Sequence, residues 1–163
     1  VGLDFSPERA APQRQLQVFI QQLRMALRLG RPILIHCRKA HNELIPVLRR
    51  ARPPSFVIHS FSGSWEIARE YLKLGGHLSF SGSVTRRNGK RVRAVAGRTP
   101  LDRLLLETDA PSIATETKVA SQVEPADVVE VARAVAELRG LSLAAVAEAT
   151  TRNVRELFGG PWT

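Results

Sequence analysis

Short apolar runs that restart at intervals of roughly 20–30 residues, each followed by a stretch of helical periodicity, constrain this chain more than anything else in it. The runs begin near residues 1, 32, 55, 77 and 103: Val1-Gly2-Leu3-Asp4-Phe5, Pro32-Ile33-Leu34-Ile35-His36, Phe56-Val57-Ile58-His59, His77-Leu78-Ser79-Phe80 and Leu104-Leu105-Leu106. They are too short for helices and mostly apolar at consecutive positions, as strands are when helices cover the sheet. Between them, Gln13 to Leu29, His41 to Arg52, Trp65 to Leu74 and a basic segment around Val92 and Val95 read as helices. Such alternation means an α/β fold with a parallel sheet and crossover helices. A doubly wound sheet and a (β/α) barrel both satisfy it. After Pro111 the pattern changes. Residues 112–123 read as a loop, a helix runs from Glu124-Pro125 to Gly140, and Ser142 N-caps a last helix to about Phe158, stopped by Gly159-Gly160-Pro161.

The 163 residues are enough for one domain, 1–163, with a real core. No apolar run approaches a membrane span, and no signal-peptide pattern opens the chain. Cys37 is the only cysteine, so no internal disulfide is possible, and a cytoplasmic location is the default expectation. The formal charge is +9, unevenly spread: 18 of the 24 basic residues, but only 5 of the 15 acidic ones, fall in the first hundred. Residues 85–98 carry six basic side chains and no acid. That asymmetry suits a polyanionic partner such as nucleic acid, while a composition rich in arginine and poor in lysine equally suits plain solubility. Oligomeric state is not legible.

Chemistry concentrates where apolar runs end. His36, His59, Glu107 and Asp109 each sit at or next to the carboxyl end of an expected strand. Glu107 and Asp109, two apart along an extended strand, would share a face. A competing reading makes Thr108 or Asp109 the cap of a helix beginning near Pro111. In a barrel the carboxyl ends form one rim, so residues distant in sequence meet there. Two imidazoles and a carboxylate suit a divalent ion of the zinc, manganese or magnesium kind, which can generate hydroxide from water near neutral pH. One strand-end histidine is more often a satisfied core residue; two with an acid at the same topological position point to a site. No Gly-x-Ser-x-Gly elbow and no glycine-rich phosphate loop is present. Cys37 would face away from the site and reads as packing, and His41 and His77 as structural or surface residues.

The phrases Gly2-Leu3-Asp4-Phe5, Ile35-His36-Cys37-Arg38, Ile58-His59-Ser60-Phe61-Ser62-Gly63, Leu106-Glu107-Thr108-Asp109-Ala110-Pro111 and Thr151-Arg152-Asn153 resemble the TatD family of metal-dependent hydrolases, in order and in spacing, from Val1 to Phe158. The resemblance implies a TIM-barrel (β/α)8 fold of the metal-dependent hydrolase superfamily and a nuclease, most often a DNase acting from strand ends. It implies His36, His59 and Asp109 as metal ligands, Asp109 also as proton shuttle, Glu107 as the neighbour that orients the centre, and Arg38 and Ser62 as substrate contacts. Magnesium, manganese or zinc would be bound, two ions in the full-length protein, and the partner would be DNA or RNA, not a membrane. The family also carries a His-x-His pair on its first strand and a bridging Glu in a Gly-Glu-x-Gly-Leu-Asp phrase, of which Val1 would be the x. A full barrel runs to about 250 residues. The expectation is therefore an N-terminally truncated barrel holding about strands three to eight, with two open edges. One departure stands out: the family's basic, asparagine-containing run before Glu-Pro is here Lys118 to Val123, with a single lysine. Two rivals remain at this point, a metal-dependent hydrolase of another ester or amide and an inactive fragment that binds nucleic acid by charge.

Overall fold

The computed structural model describes residues 1–159. Five strands form one sheet: β1 (Gly2–Asp4), β2 (Ile33–Arg38), β3 (Phe56–His59), β4 (His77–Phe80) and β5 (Leu104–Leu106). Six α-helices accompany them: α1 (Pro12–Leu29), α2 (His41–Ala51), α3 (Trp65–Lys73), α4 (Lys90–Arg98), α5 (Val128–Arg139) and α6 (Leu143–Phe158). Every neighbouring pair of strands is parallel, and strand order follows chain order. A doubly wound sheet reverses its order at a switch point. This sheet does not, which removes one of the two architectures the alternation allowed. A closed eight-stranded barrel is not seen among the described residues; the sheet is open, with β1 and β5 at its edges.

Register decides which side chains share a face. Gly2 pairs with His36, His36 with His59, and Asp4 with Arg38, so these lie on one side of the sheet. Leu3, Ile35, Ile58, Leu78 and Leu104 are fully buried on the other side, packed with Phe19, Leu44, Tyr71 and Val131 from the helices. Each such side chain contributes about 1.5–3 kcal/mol by leaving water. On the first side, Val57 and Leu105 are buried, as expected of a doubly covered strand, but Leu34 of β2 is 50% exposed. No periodicity in the sequence marks that difference. It depends on what lies over β2, not on β2 itself.

Local signals behave as their chemistry dictates. Gly30 and Gly140 take the left-handed conformation that ends α1 and α5. Ser142 Oγ accepts from the Ala145 N–H at 3.1 Å to start α6. The helix expected from Glu124 opens instead as a single tight turn, Pro125–Asp127, with a reciprocal Glu124–Asp127 cap before α5. Gly160 and Pro161, expected to stop the last helix, lie outside the described residues. At Gly2 a Cβ would lie 2.0 Å from the His36 carbonyl oxygen, so only glycine lets β1 approach β2 here. Among the described residues no helix is long and apolar enough to cross a membrane.

Asn153, part of the Thr151-Arg152-Asn153 phrase, is 1% exposed in α6 and donates to the carbonyl oxygens of Leu101 (2.8 Å) and Leu104 (2.9 Å). It thereby fastens the last helix to the start of β5. Replacing it by alanine strands one buried acceptor, the Leu104 carbonyl, and one part-buried acceptor, the Leu101 carbonyl, and a buried one costs about 1–3 kcal/mol. Asn153→Ala is expected to lower the urea midpoint by an amount corresponding to about 2 kcal/mol or more, with an unchanged slope. An unchanged midpoint would show that the bracket carries no weight.

Candidate metal centre

His59, the last residue of β3, is held at both ring nitrogens. Its Nδ1–H donates to Glu107 Oε2 at 2.9 Å, and its Nε2 lies 3.3 Å from Asp109 Oδ1. Ser79 Oγ, from the strand between, donates to the same Glu107 oxygen at 2.5 Å. The Glu107 N–H donates to the Phe80 carbonyl at 3.0 Å, carrying the β4–β5 ladder one step past the last residue of β5. With Nδ1–H committed to Glu107, the Nε2 lone pair of a neutral ring faces a carboxylate oxygen. Two acceptors at that distance repel unless a proton or a cation stands between them. Accordingly the His59 pKa is raised: the hydrogen bond to Glu107 is the main cause, burial opposes it, and the charges of Glu107 and Asp109 add to it. Among the described residues Glu107 Oε1 is buried and has no hydrogen-bond partner, an orphaned acceptor of the sort that a buried site seldom leaves without cause.

Glu107 and Asp109 both approach His59, but not as alternate residues of a strand, the arrangement their spacing suggests. β5 ends at Leu106 and Asp109 is in the left-handed region (φ 55°), so the two carboxylates are not alternate residues of one strand. They reach opposite nitrogens of a single ring. The capping alternative also falls: no helix starts at Pro111, the Asp109 carbonyl accepts from Ser112 N–H at 2.7 Å, and Thr108 Oγ1 accepts from Ala110 N–H at 3.3 Å. Lys39 and Ser60 share Asp109's conformation (φ 55° and 46°), the first two immediately past the ends of β2 and β3. Among the described residues, three of the four non-glycine residues with this conformation thus sit along the edge that holds the histidines. Each such residue costs about 1–3 kcal/mol and persists where the surroundings dictate it.

His36 stands beside His59, ring centroids 6.3 Å apart and tilted by 41°. Its Nε2 faces Asp4 Oδ2 at 3.6 Å, not Asp109. Asp4 is a site residue that sequence reasoning left without a role, although it ends a strand at the same edge. Its carboxylate also meets Arg9 at 3.3 Å and accepts from the Ser6 N–H at 3.0 Å. Burial alone would raise its pKa; hydrogen bonding from Ser6 and the charges of His36 and Arg9 outweigh this and hold it at about 2. Arg38 ends β2 exposed, on the face that carries Asp4, and makes no ion pair among the described residues. Ser62 is exposed in the loop after β3 and is not drawn into the cluster. On the helix side, Cys37 Sγ lies 3.2 Å from His41 Nδ1, which lies 2.8 Å from Tyr71 Oη. Burial pushes the Cys37 thiol up to about 11 and pulls His41 down, which suits packing roles. His77, 7% exposed at the opposite end of β4, has its pKa likewise lowered, by burial first and by the charge of Arg103 second.

Among the described residues no three His, Cys, Asp or Glu side chains converge as a ready cation cage. The donors form two adjacent pairs, His36 with Asp4 and His59 with Asp109. Two ligands each about 2.1 Å from one ion lie roughly 3.0–3.4 Å apart at octahedral to tetrahedral angles. The 3.3 Å between His59 Nε2 and Asp109 Oδ1 falls within that span. Glu107 supplies the outer hydrogen bond that a metal-binding imidazole ordinarily makes. The donor set fits a divalent cation.

Fold and cluster together define a parallel α/β protein with a histidine–carboxylate centre at the carboxyl edge of its sheet. The family model described as TatD-related DNase matches residues 1–159, and the chain belongs to that family. It is 36% identical over 160 residues to the Bacillus subtilis protein YabD, named an uncharacterized metal-dependent hydrolase, covering 97% of this chain and 63% of that one. It is 33% identical over 165 residues to the Escherichia fergusonii 3'-5' ssDNA/RNA exonuclease TatD, covering 97% and 64%. The crystal structure of YJJV, a TatD homologue from Escherichia coli, superposes with a TM-score of 0.93 at 31% identity, over 99% of this chain and 62% of that one. The chain thus spans a little under two thirds of the length of these relatives.

Because its folded-state pKa is raised, the His59 interaction with Glu107 contributes stability that is fully present below the ordinary histidine value and is lost as pH rises through the folded value. In metal-free protein, Glu107→Gln is expected to lower the His59 pKa in an NMR titration. The stability gap between wild type and variant should narrow between pH 5.5 and pH 8.5, about one to two units either side of the ordinary histidine value. An unshifted titration would sink this account.

Proposed function

We propose that the whole protein is a metal-dependent nuclease that hydrolyses phosphodiester bonds in DNA, with RNA as a second substrate, and that the five observed strands, one fewer than the expected strands three to eight would supply, are an arc of a (β/α)8 barrel. The observation that carries the reading is the opposition of His59 Nε2 and Asp109 Oδ1 across 3.3 Å at the carboxyl edge of a parallel sheet. His36, His59 and Asp109 would hold the ion, and the whole protein would bind two. A bound divalent ion supplies hydroxide near neutral pH and polarises a phosphoryl oxygen. Asp109 accepts the proton of the attacking water on a carboxylate oxygen. Glu107 keeps the His59 Nδ1–H occupied, so Nε2 presents its lone pair, while Asp4 faces His36 Nε2 from β1 as Asp109 faces His59 Nε2. Arg38, planar and without an ion pair among the described residues, meets a phosphate with two parallel N–H donors. Ser62 adds a hydroxyl from the loop beside it.

The nuclease reading, rather than amide or ester hydrolysis, rests on the positive charge of the first hundred residues and on the exonuclease name of the Escherichia fergusonii relative. A cytoplasmic location and a single domain over 1–163 go with it, as does the lone cysteine. The test is nucleotide release from single-stranded DNA with added magnesium, manganese or zinc, in parallel with a panel of acyl substrates. Turnover should vanish on chelation, and Asp109→Ala should lose about 10²–10⁴-fold in kcat, with His59→Ala similarly impaired. Wild-type-like release by both variants, or turnover of the acyl panel alone, would defeat the proposal.

A further inference from the structure

The loop that leaves β4, residues 81–89, emerges at the edge that carries His59 and Asp109, and it is fastened to the segment following Asp109. The Glu116 N–H donates to Thr85 Oγ1 at 2.7 Å, and the Arg87 N–H donates to Glu116 Oε2 at 3.1 Å. A Cβ on Gly82 would lie 2.8 Å from the Ala114 carbonyl oxygen, so the two loops are in direct contact. Between them is a cleft of about 380 Å³ lined by Arg86, Arg87, Asn88, Thr115 and Glu116.

The charge in and beside this cleft is not neutralised. Arg9, Arg49, Lys73, Arg103, Lys118 and Arg152 each have a carboxylate partner. Arg86, Arg87, Lys90 and Arg91 have none among the described residues, and all four are exposed. Among the described residues Glu116 is the one acid at the cleft, and it engages the Arg87 backbone and no guanidinium. No acidic residue occurs from Thr85 to Leu101. Four like charges held within six residues repel one another, and two of them begin a helix, where the macrodipole already favours anions. Lys118, the only basic residue of the loop at 112–123, is bound to Asp127 at 2.7 and 3.0 Å and is withdrawn from any such role.

We propose that this cleft is a second phosphate-binding subsite, in which Arg86 and Arg87 grip the backbone of a single-stranded nucleic acid away from the bond being cleaved. The inference rests on the nuclease reading. It assigns to the β4–α4 loop the grip that the segment before Glu124 lacks. Recognition is of the phosphodiester backbone, through the paired donors of two guanidiniums, and carries no base preference.

The test compares wild type with an Arg86→Ala/Arg87→Ala double variant and a double lysine variant. Binding of a labelled oligothymidylate of about twelve nucleotides is followed by anisotropy against salt, with chelator present to prevent cleavage. The alanine variant is expected to lose affinity, and the slope of log K against log salt should shrink by about 1.4, from two lost contacts at roughly 0.7 each. The lysine variant should keep the slope while binding less tightly. In turnover, kcat/KM should fall at least tenfold more on the long strand than on a dinucleotide, with the difference in KM. An unchanged salt slope, or an equal loss at both lengths, would overturn the subsite while leaving wild-type cleavage and the nuclease reading intact. Wild-type protein that neither binds nor cleaves the strand would overturn both.

Discussion

The clamp on His59 is the interaction around which the rest is arranged. One ring is approached at Nδ1 by Glu107 and at Nε2 by Asp109, both from beyond β5, while Ser79 on β4 fixes the Glu107 oxygen between them. That geometry requires β3, β4 and β5 to be adjacent, parallel and level at their carboxyl ends. The register provides this, with Val57 opposite His77 and Phe80 opposite Leu106. A single slip between β4 and β5 would turn every side chain of β5 to the other face and carry Glu107 with it. The apolar side of the sheet guards against such a slip, because Leu78 and Leu104 are fully buried there.

Stability and chemistry are thus divided between the two faces of one sheet. The helix side consists of aliphatic and aromatic residues, and its polar groups are few and paired, as in the Cys37, His41 and Tyr71 contact. The opposite side carries histidines and carboxylates along its edge and holds the left-handed residues Lys39, Ser60 and Asp109. Non-glycine residues adopt that conformation only where something offsets its cost. For Asp109 the offset is visible: the turn lets its carboxylate face Nε2 of His59, a position that continued strand geometry after Leu106 would not reach.

What could be read from the sequence follows from which properties are periodic. The five strands and their helices were legible because apolar runs and helical spacing are one-dimensional signals. His36, His59, Glu107 and Asp109 were legible because polar residues that end apolar runs stand out. Asp4 did not stand out, since β1 is only three residues long and offers little contrast. Ser79 was invisible for another reason: a serine inside a strand is unremarkable until the sheet order shows which strand lies between His59 and Glu107. The exposure of Leu34 was illegible in principle, because its pattern is that of its buried neighbours. Asn153 belonged to a recognisable phrase, but its partners, the Leu101 and Leu104 carbonyls, lie about fifty residues away.

The charge asymmetry acquires a structural meaning once the edge is assembled. In the first hundred residues the carboxylate that reaches the cluster is Asp4, with Arg9, Arg38, Arg86 and Arg87 on the same segment of chain; the last third supplies Glu107 and Asp109. A parallel sheet brings these contributions to one edge because every strand delivers its carboxyl end there. Had the excess cations served solubility alone, they would be expected to scatter over the helix-covered face with acids interspersed. Arg49, which pairs with Glu70 between α2 and α3, behaves in that way. Arg86 and Arg87 do not: the Glu116 carboxylate beside them is spent on a backbone N–H, and the guanidiniums are left to solvent. Crowding Arg86, Arg87, Lys90 and Arg91 into six residues costs stability by mutual repulsion, and an anion held between them, as proposed for the cleft, would offset that cost.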